Sequence, residues 1–141
     1  MKRLKILLVE DNPDDVKITQ RTLKKGNLKD DLFVVMDGQE ALDFLAQRGQ
    51  HQGAPKPDLI FLDINIPKIN GLEVLGQIKK QDSLRRIPVI VLTSSKSEED
   101  RIRAYDSGAS SYIQKPASSS ELIRAINTVR DYWEMAELPP E

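Results

Sequence analysis

The chain alternates between short runs that are apolar throughout and longer stretches that are apolar on one side only. Ile6 to Val9, Leu59 to Leu62 and Pro88 to Leu92 contain no charged residue. Runs of that length suit strands buried on both faces, as in the middle of a parallel sheet. Leu32 to Met36 and Tyr112 to Gln114 read as two further strands. Between the strands, apolar residues recur at helical spacing. The first helix is expected from about Asp14 to Lys25, with Val16, Thr19 or Gln20, and Leu23 on one side and Gly26-Asn27 at its end. The second follows Asp37-Gly38 and carries Ala41, Leu42, Leu45 and Ala46 as its stripe. The third starts at Gly71 and turns Val74, Leu75 and Ile78 inward. Ser97-Glu98-Glu99-Asp100 opens the fourth, with acids at its positive end, and Gly108 closes it. The last helix, capped by Ser119 or Ser120, carries Leu122, Ile123, Ile126, Val129 and Trp133, and Leu138-Pro139-Pro140 follows as a tail.

Strand and helix thus alternate five times. Alternation with buried strands defines an α/β protein with a parallel sheet and right-handed crossovers. Five such units fit a doubly wound five-stranded sheet in the order 2-1-3-4-5, whereas a closed eight-stranded barrel needs far more chain. The sequence has 141 residues and shows no repeat and no linker, so residues 1–141 read as one domain, with the last helix and tail from about residue 119. Arg48 to Lys56 reads as a surface loop, and His51 within it is assigned no function.

Composition narrows the chemistry. The formal net charge of -1 gives no footprint for nucleic acid. The absence of cysteine excludes disulfides, thiolate catalysis and zinc-thiolate sites, and a single histidine excludes a multi-histidine metal site. The first apolar run stops at Val9 before Glu10-Asp11, too short for a signal peptide or a membrane span. The expectation is a soluble, cytoplasmic protein.

The candidate chemistry lies at the strand ends. In open α/β sheets ligands bind outside the carboxyl ends of the strands. Strands one and three are neighbours in the expected order, so Glu10, Asp11 and Asp63 converge there. Three carboxylates repel one another unless a hard cation sits among them, and Mg2+ prefers such oxygen ligands. The backbone carbonyl of Asn65 is placed to complete the coordination. Thr93 ends strand four with a hydroxyl, and Lys115 ends strand five with an ammonium. A cation, a hydroxyl and an ammonium around one carboxylate meet the needs of phosphoryl transfer, where fixed positive groups stabilise charge on the phosphoryl oxygens. Asp63 is then the nucleophile that forms an acyl phosphate. An acid pair after a strand is often only a helix cap, and a Lys before Pro is often only exposed. The weight lies in all of them standing at strand ends in this chain order.

At this point the sequence resembles the receiver domains of two-component response regulators. The matching residues are Glu10-Asp11, Asp63 with Ile64-Asn65-Ile66-Pro67 and Gly71, Thr93-Ser94, Gly108-Ala109, Tyr112 and Lys115-Pro116. The resemblance covers the whole chain and implies a flavodoxin-like receiver fold. It implies that Asp63 takes a phosphoryl group from a sensor histidine kinase, that Asp11 is the main acidic metal ligand, and that Glu10 acts through water. It also implies that Thr93 and Lys115 bind phosphoryl oxygens and that Thr93 and Tyr112 rearrange on activation. Such a chain is a phosphoacceptor that assists its own phosphorylation and dephosphorylation rather than an enzyme. No effector domain is matched, so the chain looks like a stand-alone receiver. A narrower resemblance, carried by Ile87 to Lys96, Glu98-Glu99-Asp100, Tyr105, Asp131-Tyr132-Trp133 and Leu138-Pro139, is to small regulators paired with phytochrome-type kinases.

Rival readings are weaker. A haloacid-dehalogenase-like phosphatase resembles this strand-end Asp but uses Asp-x-Asp, and here Asn65 stands at the second position. A flavodoxin needs a Ser/Thr/Gly-rich loop where this chain has acids, and no G-x-x-x-x-G-K-[ST] occurs. The alternative of another class is an unphosphorylated receiver-like adaptor that acts only by protein binding. Two structural expectations complete the reading. Lys115-Pro116 should be cis, because the strand-end Lys must turn sharply inward and X-Pro bonds carry a small cis penalty. The last helix has more apolar surface than one packing face needs: either Trp133 covers the bottom of the core, or the surplus forms a homodimer through the fourth helix, fifth strand and fifth helix, with Asp100, Arg101, Asp106, Arg124 and Arg130 as rim charges.

Overall fold

In the computed structural model, which describes residues 2–136, the elements are β1 (Lys5–Val9), α1 (Pro13–Lys25), β2 (Asp31–Val35), α2 (Gly38–Ala46), β3 (Leu59–Leu62), α3 (Gly71–Lys80), β4 (Val89–Thr93), α4 (Glu98–Asp106), β5 (Ser111–Gln114) and α5 (Ser119–Met135). All neighbouring strands pair in parallel, and the order is β2-β1-β3-β4-β5, as the alternation predicts. The expected tail at Leu138-Pro139-Pro140 lies outside the described residues.

The apolar runs divide residue by residue between two cores. Leu7 and Val9 of β1, Ile60 and Leu62 of β3, and Val89 of β4 face α2 and α3, where Val74, Leu75 and Ile78 complete the cluster. Ile6 and Leu8, Leu59 and Phe61, and Ile90 and Leu92 face the other way, onto Leu23 of α1 and Leu122, Ile126 and Val129 of α5. Two-sided burial is why these strands lack the polar alternation of a half-exposed sheet. A third, smaller cluster joins Ile64, Leu72 and Val91 to Ala104 of α4, with Tyr112 packed against it.

Helix starts follow local chemistry. Asn12 caps α1 by accepting from the Asp14 and Asp15 amides, with Pro13 in the first turn. The last helix is capped by Ser118, one residue before the expected Ser119 or Ser120. Its hydroxyl accepts from the Glu121 amide at 3.1 Å while the Glu121 carboxylate accepts from the Ser118 amide at 3.1 Å. That reciprocal pair needs an acid three residues after the cap, and only Ser118 has Glu121 at that spacing. In α2 the buried stripe includes Phe44, whereas Ala46 is exposed. Met36 lies beyond β2 and is exposed, because its amide turns to the Glu40 carboxylate. The loop after α2 contains a single 3-10 turn, Gly49–His51, and His51 packs on Phe44 with its Nε2 3.2 Å from Glu40.

The lower end of α5 is fixed by polar contacts. Arg130 is buried and forms a two-pronged pair with Asp30, at 2.6 and 2.8 Å, while its Nη1 also donates to the Lys2 carbonyl. Arg130 is therefore no rim charge: its length carries the guanidinium to Asp30 and the Lys2 carbonyl instead of out to solvent. Trp133 is half-buried, with its indole N–H 2.7 Å from the Asp58 carbonyl. No helix among the described residues is long and apolar enough to cross a membrane.

Candidate functional site

The sheet ladder sets out the site's backbone. One residue beyond each strand the parallel pattern continues. The Glu10 amide donates to Val35, the Asp63 amide to Val9 and the Lys115 amide to Thr93, at 2.9, 3.1 and 2.8 Å. The strand-end residues of β1, β3 and β5 are thereby held in fixed lateral register. Gly71, at the start of α3, packs against the same point. A Cβ there would meet the Asp63 carbonyl oxygen at 2.2 Å and Ile64 Cα at 2.7 Å, so a side chain would displace the backbone that carries Asp63.

Carboxylate oxygens of Glu10, Asp11 and Asp63 lie within 4.8 Å of one another. Glu10 and Asp63 are buried and Asp11 is exposed, so the cluster opens to solvent on the Asp11 side. The Asn12 amide donates to Glu10 Oε2 and the Asn65 amide to Asp63 Oδ1, both at 3.1 Å, which orients the two buried carboxylates. Lys115 Nζ donates to Glu10 Oε1, to Asp15 Oδ2 at 2.9 Å and to Asp63 Oδ2 at 3.0 Å. Burial, together with the neighbouring Asp63 charge, holds the Glu10 carboxyl above its ordinary pKa against the pull of Lys115 and the Asn12 amide. Burial also works against the charge on Lys115, but its hydrogen bonds to Glu10, Asp15 and Asp63 outweigh that and hold it protonated well above the usual range. The Lys115-Pro116 bond is cis, as expected.

Thr93 is fully buried at the end of β4, and its hydroxyl accepts from the Ser95 amide at 3.3 Å. The Tyr112 ring is half-buried on the Ile64, Leu72, Val91 and Ala104 cluster, and its hydroxyl donates to the Ser95 carbonyl at 3.3 Å. Ser95 Oγ in turn donates to Asp100 in the first turn of α4 at 2.7 Å. The structure thus brings Glu10, Asp11, Asp63 and Lys115 together and sets Thr93 and Tyr112 beside one loop.

Two residues of this region escaped the sequence reading. Asp15 reads as one of two acids in a helix first turn, where the macrodipole alone explains it. Ser95 reads as part of a polar turn. For Asp15 a signal existed: it stands in the first turn of a helix that begins at the site, within reach of any cation there.

The donor set is chemically suited to a divalent cation. Its oxygens are hard and anionic, and the cluster has a solvent-facing side through which waters and a further ligand can complete the coordination.

A family profile described as the response regulator receiver domain matches residues 6–127. The response regulator Rcp1 of Synechocystis sp. is 39% identical over 135 residues, which cover 95% of this chain and 92% of Rcp1. The crystal structure of the Mn2+-bound form of Rcp1 superposes with a TM-score of 0.80 at 38% identity, over 97% of this chain and 99% of that one. The crystal structure of the phosphorylated cyanobacterial phytochrome response regulator RcpA superposes with a TM-score of 0.82 at 40% identity, over 99% and 100% of the two chains. The acidic cluster at the end of β1 and β3, the sheet order and these matches agree: the chain belongs to the response regulator receiver domain family, closely related to its phytochrome-associated members.

Proposed function

We propose that this protein is a single-domain, cytoplasmic response regulator whose Asp63 accepts a phosphoryl group from the phosphohistidine of a sensor histidine kinase. The observation that carries the reading is the meeting of three carboxylates and one ammonium at the end of the central strand. Asp63 Oδ attacks phosphorus, the P–N bond to the kinase imidazole breaks, and the imidazole takes up a proton. Glu10, Asp11, Asp63 and the Asn65 carbonyl would hold Mg2+, which screens the carboxylates from the incoming anion and stabilises charge on the phosphoryl oxygens. Lys115 and Thr93 bind those oxygens, the first with an ammonium already at Asp63 and the second with its hydroxyl. Tyr112 follows Thr93 into its activated position.

A red-light sensor of the phytochrome class is the proposed upstream kinase. The similarity to RcpA, whose structure is described as that of a phytochrome response regulator, supports this. The mutual coverage with Rcp1 supports the single-domain reading. The proposed output is a change in partner binding or in homodimerisation through α4, β5 and α5.

Incubation with acetyl phosphate and Mg2+, read by intact mass, tests the phosphoacceptor. The expected result is one added phosphoryl group, absent from Asp63→Asn. A wild-type chain that gains no mass under conditions that phosphorylate other receivers leaves only the binding-adaptor function.

A further inference from the structure

Lys115 has three N–H donors and three anionic acceptors, one each from Glu10, Asp15 and Asp63. These acceptors are not equivalent. Glu10 and Asp63 also belong to the group whose oxygens converge on a single point with Asp11. Asp15 stands outside that group and bonds Lys115 at 2.9 Å. It is carried on a rigid base, because its amide bonds the Asn12 cap and its carbonyl accepts from Thr19 in the next turn. A cation drawn in by Glu10, Asp11 and Asp63 competes with Lys115 for two of its three partners, but not for Asp15.

We propose that Asp15 is a positioning residue that keeps the Lys115 ammonium aimed at the reacting oxygen when its other carboxylate partners engage the cation and the phosphoryl group. The inference rests on Asp63 being the phosphoacceptor. Without Asp15 a loaded site leaves Lys115 with no dedicated acceptor, and its flexible four-carbon stem is free to turn to solvent. With Asp15 the ammonium meets the phosphoryl oxygen already oriented, so the benefit falls on the rate of transfer rather than on the encounter with the donor.

Two measurements on the full chain test this, with Asp15→Ala, Asp15→Asn and the neighbouring Asp14→Ala as a control of equal charge. In the first, phosphorylation by acetyl phosphate at saturating Mg2+ is followed by intact mass over a range of donor concentrations. Asp15→Ala should lower the maximal rate about tenfold and leave the half-saturating donor concentration almost unchanged. Asp15→Asn, whose amide oxygen still accepts, should recover most of the rate, and Asp14→Ala should match wild type. In the second, made in chelator, reductive methylation of Lys115 should be slow in wild type, Asp14→Ala and Asp15→Asn, and severalfold faster in Asp15→Ala. If Asp15→Ala and Asp14→Ala behave alike in both measurements, Asp15 contributes charge at most and the proposal is overturned. If Asp15→Ala does not fold, a fast-methylating Asp15→Asn overturns it, and a protected one upholds it. A wild-type chain that takes up no phosphoryl group overturns the phosphoacceptor reading itself. A wild type that does, beside an Asp15→Ala of equal rate, overturns only the role of Asp15.

Discussion

Thr93 and Tyr112 meet on one residue: the Thr93 hydroxyl accepts from the Ser95 amide, and the Tyr112 hydroxyl donates to the Ser95 carbonyl. In the proposed switch, a shift of Thr93 toward a phosphoryl group would pull on Ser95, the residue that Tyr112 also holds. Because Ser95 Oγ also bonds Asp100, the first turn of α4 would move with it. Two discrete packings of this kind are what a ligand can select between.

Tyr112→Ala should accept phosphate at a near-normal rate, because Tyr112 touches no reacting group. It should fail to change partner binding or dimerisation on phosphorylation. Tyr112→Phe keeps the ring on its cluster and should retain part of the response. Beryllofluoride titrations read by the chemical shifts of α4 would check both, and an Ala variant with the full wild-type response would remove Tyr112 from the switch.

Asp63→Asn should lose phosphorylation completely while its stability stays level or rises. Asp63 lies within 4.8 Å of two like charges and 3.0 Å from one opposite charge. The amide relieves the repulsion with Glu10 and Asp11 while its oxygen can still accept from Lys115, so the two changes offset one another. Urea unfolding in chelator is the measurement, and a clear loss of stability would show that the Lys115 pair dominates.

Arg130→Ala should destabilise the fold by about 3–5 kcal/mol, because it leaves the Asp30 carboxylate buried without its partner. The Asp30 and Arg130 side chains are 1% and 3% exposed. Asp30→Leu combined with Arg130→Leu should cost far less than the single change. Burial pushes the Asp30 carboxyl up, but its bonds to Arg130 and the Leu4 amide outweigh this and hold it below the ordinary value of 3.8. Its contribution is thus present above that value and is lost as pH falls through it toward the lower folded pKa. Wild type should lose stability below about pH 4 more steeply than the double variant.

The proposed dimer would use the exposed apolar side chains of α4 and α5. Ile102 and Tyr105 on α4 and Tyr132 and Met135 on α5 are exposed, whereas Trp133 is turned to Asp58 and covers the base of the core. Phosphorylated protein should show twice the monomer mass by light scattering, and Ile102→Asp or Tyr105→Asp should return it to the monomer. A wild-type chain that stays monomeric at high concentration, with and without phosphodonor, would exclude the interface.

The fold was legible because Ile6 to Val9 and Leu59 to Leu62 are too short and too apolar for anything but buried strands, and the acids and Lys115 stand directly after such strands. What escaped was side-chain reach. Asp15 and Arg130 sit in helices where exposed charge is the ordinary reading, and only the packed structure shows one bonded to Lys115 and the other to Asp30. The cap of α5 lies one residue before the expected Ser119 because three successive serines, Ser118, Ser119 and Ser120, compete for it and Glu121 decides.

The helix α4 buries a single residue, Ala104, where α5 buries Leu122, Ile126, Val129 and Arg130. Segments with few buried contacts open locally at a free energy well below that of global unfolding. Backbone amides of α4 should therefore exchange with deuterium through a low-energy opening, and those of α5 only near the global limit. A phosphoryl group supplies a difference of only a few kcal/mol between two states. That is enough to redistribute a helix held by one alanine and a handful of hydrogen bonds, and too little to dislodge one clamped by Arg130. In the proposed switch the rearrangement would thus begin in the part of the molecule that is already close to letting go.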